Sequence, residues 1–160
     1  MRRFTLFLVG LIVMPGCGGS DAQPATSPQK KNTPMFVERA AESGLVFQHH
    51  SGASGQYYLP ESLGAGCGLF DADGDGDLDA LFVRGHNLEA SADAESQNTF
   101  FRNTGEGQFV DDTTNAGLTD LGYSYGVTCG DVDADGDIDL YITNFGKDCL
   151  YYNDGNGRFT

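Results

Sequence analysis

Asp71-Ala72-Asp73-Gly74-Asp75-Gly76-Asp77-Leu78-Asp79 and, 60 positions later, Asp131-Val132-Asp133-Ala134-Asp135-Gly136-Asp137-Ile138-Asp139 decide how this chain reads. Both segments have the form D-x-D-x-D-G-x-x-D. Carboxylates at positions 1, 3 and 5 turn inward if the backbone coils about a point, and Gly76 and Gly136 permit the sharp turn this requires. Position 7 (Asp77, Asp137) then offers a main-chain carbonyl, and position 9 (Asp79, Asp139) a carboxylate from the start of the next strand. Such an all-oxygen, flexible donor set suits Ca²⁺, whereas Mg²⁺ demands tighter octahedral geometry and zinc prefers softer ligands. Two like charges about 4 Å apart at an effective dielectric near 20 repel by roughly 4 kcal/mol. Several such pairs rival the whole stability of a small domain, about 5–15 kcal/mol. Two Ca²⁺ sites are therefore expected, on Asp71, Asp73, Asp75, Asp77 and Asp79 and on Asp131, Asp133, Asp135, Asp137 and Asp139. A solvated acidic turn is the blander alternative, and one that explains a twice-repeated spacing poorly. An EF-hand requires Glu at position 12 and flanking helices. Phe82 and Ile142 stand there instead, and the flanks are Gly-rich and β-like.

The similarity spreads outward from the two loops. Leu81-Phe82-Val83 answers Tyr141-Ile142-Thr143, and the run Phe100 to Phe109 answers Leu150 to Phe159. Upstream, Phe36 to Leu45 ends in Ser-Gly-Leu, as Phe109 to Leu118 ends in Ala-Gly-Leu. Copy one is longer because of insertions at Gln48–Leu63 and Gly85–Gln97. Short apolar runs (Cys67–Phe70, Leu78–Val83, Thr99–Arg102) alternate with Gly, Asn and Asp clusters, and no helical period persists. Asn103–Gly107 and Asn153–Gly157 read as hairpin turns, since Asn and Gly tolerate positive φ. Each copy is thus expected to be an antiparallel meander of strand, Asp loop, strand, strand, Gly turn, strand. A unit of this kind must stack on neighbours to bury both faces. Radial stacking makes it a four-stranded blade of an all-β propeller, which needs roughly 4 to 8 blades. The chain supplies about two, so the reading is an incomplete propeller at the start of a longer protein. Closure by oligomerisation, or a small two-sheet fold, are the alternatives.

Composition supports a folded, acidic, exported protein. Among 160 residues, 39% are hydrophobic and 11% aromatic, enough for a core. A net charge of −14 opposes nucleic-acid binding. Ten of the 23 acidic residues lie in the two loops, which makes the charge excess local. Arg2-Arg3, the apolar run Phe4–Met14 and Pro15-Gly16-Cys17 read as a signal peptide over 1–16, too short to span a bilayer. Gly16-Cys17 resembles the cleavage and acylation site of bacterial lipoproteins. That implies lipidation at Cys17, a lipid anchor as the sole membrane contact, and residence in the cell envelope or periplasm, or secretion. Residues 17–34 read as a flexible linker, 35–108 as the first repeat and 109–160 as a truncated second. In an oxidising compartment, Cys67, Cys129 and Cys149 could supply one disulfide and one spare thiol, or three small buried residues.

Taken together, Gly-x-x-x-(Phe/Gly)-Asp-x-Asp-x-Asp-Gly-Asp-(Leu/Ile)-Asp followed by Asn-x-Gly-x-Gly-x-Phe resembles the FG-GAP/VCBS repeat of integrin-α-type β-propellers. The Phe-x-x-x-(Ala/Thr)-x-x-(Ser/Ala)-Gly-Leu lead-in is similar to bacterial relatives of cartilage acidic protein, the ASPIC/UnbV group. The resemblance implies Ca²⁺ in a hairpin loop at one blade edge, held by the ten aspartates above, Asp77 and Asp137 through their main chains.

No catalytic constellation emerges. His49 and His50 are adjacent and would face opposite ways on a strand. His86 has no evident partner, and Ser54 lacks the second Gly of a nucleophile elbow. Tyr57, Tyr58, Tyr123 and Tyr125 could line a rim or simply pack. The favoured class is a non-enzymatic binding or adhesion scaffold for a protein or glycan partner. The alternative is an accessory propeller of a larger exported enzyme.

Overall fold

Strand formation follows the apolar runs. β-Branched and aromatic residues bounded by Gly and Asp fold as Cys67–Phe70 (β1), Asp79–Phe82 (β2), Thr99–Asn103 (β3) and Phe109–Asp111 (β4), then Ser124–Gly130 (β5), Asp139–Asn144 (β6) and Cys149–Tyr151 (β7). Two single helical turns, Leu59–Ser62 (α1) and Thr113–Ala116 (α2), interrupt them. This computed structural model describes residues 36–90 and 96–160. The expected signal peptide, the linker and Cys17 lie outside the described residues, as does the middle of the Gly85–Gln97 insertion. Residues Glu38–Thr160 form one unit.

β1 to β4 make a four-stranded antiparallel meander in chain order, and β5 to β7 a three-stranded one. The two sheets share their register. Phe70 pairs with Asp79 and Gly130 with Asp139, so each Asp loop joins the first two strands of its sheet. Asn103 pairs with Phe109, and Asn153 forms an isolated bridge with Phe159. The second sheet therefore begins a fourth strand at the same register as the first. The fold is all-β, as the alternation of apolar runs and turns requires. Phe109–Asp111, which opens the second repeat by sequence, closes the first sheet as β4. Sequence repeat and structural sheet are thus out of phase by one strand.

The core lies between the sheets. Phe70, Leu81, Val83 and Phe100 meet Leu118, Leu140, Ile142 and Phe159, all buried. The rings of Phe70, Phe100 and Phe159 sit 6.0–6.2 Å apart, one pair stacked and two edge-on, a geometry favoured by the ring quadrupoles. Phe159 thus belongs to the second repeat but completes the core of the first, whereas its counterpart Phe109 is half-buried. Gly66 N–H donates to Tyr125 C=O at 2.7 Å, joining the inner edges of the two sheets. A buried polar chain ties them again. Asn98 Nδ2 donates to Ser124 Oγ (3.1 Å), and Ser124 Oγ to Asn144 Oδ1 (2.7 Å). Asn144 Nδ2 then donates to Asp120 Oδ2 (2.8 Å).

The lead-in segments explain their own recurrence. Phe109 N–H donates to Ser43 C=O (2.8 Å), and Phe159 N–H to Ala116 C=O (2.8 Å). In each case a glycine at positive φ, Gly44 (+83°) or Gly117 (+80°), lies flat on that phenylalanine's carbonyl. A Cβ there would come within 2.3 or 2.6 Å of the carbonyl oxygen, which no side chain tolerates.

Of the two readings of the cysteines, the disulfide is not seen among the described residues, where Cys67, Cys129 and Cys149 are free thiols. Cys67 and Cys129 are exposed on β1 and β5, and Cys149 is half-buried with its sulfur near Asn144 Nδ2 at 3.8 Å. The reading of three buried thiols therefore fails for Cys67 and Cys129, whose side of the strand faces outward.

Candidate metal centres

Each Asp loop is organised by its first carboxylate. Asp71 Oδ1 accepts from Gly74 N–H (2.8 Å) and Asp75 N–H (3.2 Å), and Oδ2 from Gly76 N–H (2.9 Å). Asp131 repeats the pattern on Ala134 (2.7 Å), Asp135 (3.2 Å) and Gly136 (3.1 Å). The loop backbone is thereby coiled round position 1. Gly76 (+93°) and Gly136 (+100°) supply the positive φ where the coil reverses.

Position 9 anchors the loop to its sheet. Asp79 and Asp139 are each 1% exposed. Asp79 Oδ2 accepts from Ala72 N–H (2.9 Å) and Oδ1 from Asn103 N–H (2.7 Å). Asp139 does the same with Val132 and Asn153, both at 2.9 Å. Burial raises the Asp79 pKa despite these amide bonds, with the Asp73 charge adding to the rise. In the second loop, lost hydration and then the Asp135 charge raise Asp133 and Asp137.

These contacts bring three carboxylates together per loop. Asp71, Asp73 and Asp79 offer oxygens within 4.8 Å of one another, and so do Asp131, Asp133 and Asp139. The side chains of Asp75, Asp77, Asp135 and Asp137 fall outside these triplets. Asp75 Oδ1 instead accepts from Asp77 N–H (2.8 Å), and Asp135 Oδ1 from Asp137 N–H (2.9 Å). Asp73 Oδ1 is buried with no hydrogen-bond partner. An anionic oxygen buried in that state is costly unless a cation meets it. The donor set, hard and all-oxygen, fits Ca²⁺.

The first loop has an element that spacing does not reveal. Arg102 on β3 donates through Nη1 to Asp73 Oδ2 and through Nε to Asp112 Oδ2 (2.8 Å). Its Nη2 donates to the carbonyl of Gly157 (3.2 Å), in the turn of the second repeat. Its guanidinium also lies 5.7 Å from the Phe100 ring centroid.

The remaining candidates carry no chemistry of this kind. His50 Nδ1 accepts from Gly52 N–H (3.2 Å) as part of a loop turn. His86, without partner by sequence, lies against Tyr123 with ring centroids 5.6 Å apart. Ser54 Oγ donates to Glu61 (2.6 Å) and is not paired with a base histidine. Tyr123 packs on Tyr125, and its hydroxyl donates to Ser51 C=O (2.8 Å).

Sheets of antiparallel meander, each with an acidic loop between its first two strands and a Gly-rich turn before its last, define a class of blade-forming repeat. The family profile for the FG-GAP-like repeat matches residues 71–142, from the first position of one loop through the strand that follows the other. The chain therefore carries an FG-GAP-like repeat, a module of β-propeller-type binding or adhesion proteins. No curated protein matches the chain.

Proposed function

We propose that this protein is a calcium-dependent, non-enzymatic scaffold of the cell envelope, whose FG-GAP-like blades present loops to a protein or glycan partner. The observation that carries the reading is the duplicated carboxylate triplet, Asp71/Asp73/Asp79 and Asp131/Asp133/Asp139, each within 4.8 Å. Three carboxylates at that spacing repel strongly unless a divalent ion is present. The loops join strands that contribute to the inter-sheet core, so ion binding there stiffens the blade instead of forming an open catalytic site. The lead-ins ending in Ser43-Gly44-Leu45 and Ala116-Gly117-Leu118 support grouping the chain beside the ASPIC/UnbV proteins. The N-terminal signal and Cys17 support export with a lipid anchor.

The test is a titration of the full chain with Tb³⁺, followed by its luminescence, with Ca²⁺ competition. Asp73→Ala and Asp133→Ala should each abolish one saturable component, and the double variant both. Unchanged binding in the double variant, or no saturable binding in the wild type, refutes the calcium assignment.

A further inference from the structure

Positions 102 and 152 are equivalent in the two repeats, yet the first is Arg and the second Tyr. Tyr152 is exposed and has its backbone, not its side chain, engaged with Thr160. Arg102, by contrast, has its guanidinium fixed on four sides, by Asp73, by Asp112, by the Gly157 and Asn156 carbonyls and by the Phe100 ring. Its side chain is 19% exposed and that of Asp73 24%, so water screens this contact only in part. The first loop thus already holds a built-in cation on one oxygen of Asp73, while the other oxygen, Oδ1, remains without a partner. Among the described residues, no Arg or Lys is paired with a carboxylate of the second loop.

The loops differ again at position 4. Gly74 adopts φ +74° at no steric cost, whereas Ala134 is held at +64°, a region an alanine avoids. The second loop keeps this strained shape through bonds from its amides to Asp131.

We propose that the two loops are inequivalent cation sites, with Arg102 acting as an internal counter-ion that makes the first loop the weaker one. The inference rests on the calcium reading above. A divalent ion on Asp73 Oδ1 would sit one carboxylate away from the guanidinium held on Oδ2, a separation on the order of 6 Å. Even at water's dielectric constant, repulsion at that separation lowers affinity about tenfold. Four separate contacts hold Arg102 in place, so it does not swing clear to relieve this. The same contacts keep the first loop folded without an ion. The second loop, lacking a counter-charge, depends on its ion to stay closed. Because Arg102 also grips the turn at Gly157, loading of the first site is felt in the second sheet.

Calorimetric titration of the full chain with Ca²⁺ tests this. Two steps at least about tenfold apart are expected, with Asp133→Ala removing the tighter and Asp73→Ala the weaker. Arg102→Gln should draw the steps together by strengthening the weaker one. Tyr152→Arg, which leaves the Arg102 network intact, should weaken the tighter one. Hydrogen exchange in EDTA should deprotect the amides of 132–136 before those of 72–76. Equal affinities in the wild type, or a weaker first site in Arg102→Gln, would overturn the proposal while leaving calcium binding intact. Absence of any saturable step overturns both.

Discussion

Asp79 and Asp139 show how a single residue joins the loop to the sheet. Each carboxylate accepts one amide from its own loop and one from the third strand or its extension. Replacing either by Ala removes the acceptor of two amides, one of which is buried in each case (Ala72 or Asn153) and costs about 1–3 kcal/mol when left unpaired. In EDTA, Asp139→Ala and Asp139→Asn both relieve the like-charge repulsion of the ion-free loop, but only Asn keeps an acceptor oxygen, so urea unfolding should show Asp139→Ala less stable than Asp139→Asn by about 1–3 kcal/mol. A difference under about 1 kcal/mol would contradict this anchoring role. Tyr151 gives a pH signature of the second sheet. Burial, and then the Asp120 charge, push its hydroxyl up to about 12, against about 10 for an unfolded tyrosine. The folded state therefore holds this proton longer than the unfolded one. Its contribution is complete below pH about 10 and is lost as pH rises toward 12. Phenolate absorbance should show a late-titrating component that coincides with alkaline unfolding and disappears in Tyr151→Phe. If that variant keeps the late component, the assignment is wrong.

At the scale of elements, the lead-in and the final hairpin of each repeat form one lock. Ser43-Gly44 clasps Phe109, and Ala116-Gly117 clasps Phe159. Gly117→Ala would set a Cβ 2.6 Å from the Phe159 carbonyl and strain φ at +80° as well. Thermal unfolding should register a loss of at least about 1–3 kcal/mol, with Gly44→Ala comparable; an unchanged Tm would dismiss the lock. The strands themselves were legible in sequence because apolar runs between Gly and Asp clusters admit few other folds. The runs expected at Cys67–Phe70 and Thr99–Arg102 match β1 and β3 closely. The pairing of Phe109–Asp111 with β3 was legible in the Asn103–Gly107 turn, whereas the repeat similarity, which starts its second copy at Phe109, gave a boundary one strand early. The triplets emerge only in three dimensions. Spacing marks five aspartates per loop, and the fold adds that Asp75 and Asp135 each accept one neighbouring amide through Oδ1. Arg102 was hidden because its partners stand at positions 73, 112 and 157, with no local signature.

At the scale of the whole molecule, two meanders of one register share a core that neither could close by itself. Phe159 seals the first sheet from the second repeat, and the Asn98–Ser124–Asn144 chain ties them behind it. The acidic loops lie at the junction of the first two strands in both, so an ion bound there would act on the strands that build this shared core. The claim that these loops are calcium sites is tested most directly by counting ions. Equilibrium dialysis of the full chain against Ca²⁺ should reach two ions per chain, falling to one in Asp73→Ala or Asp133→Ala. A plateau below one ion in the wild type would contradict the account.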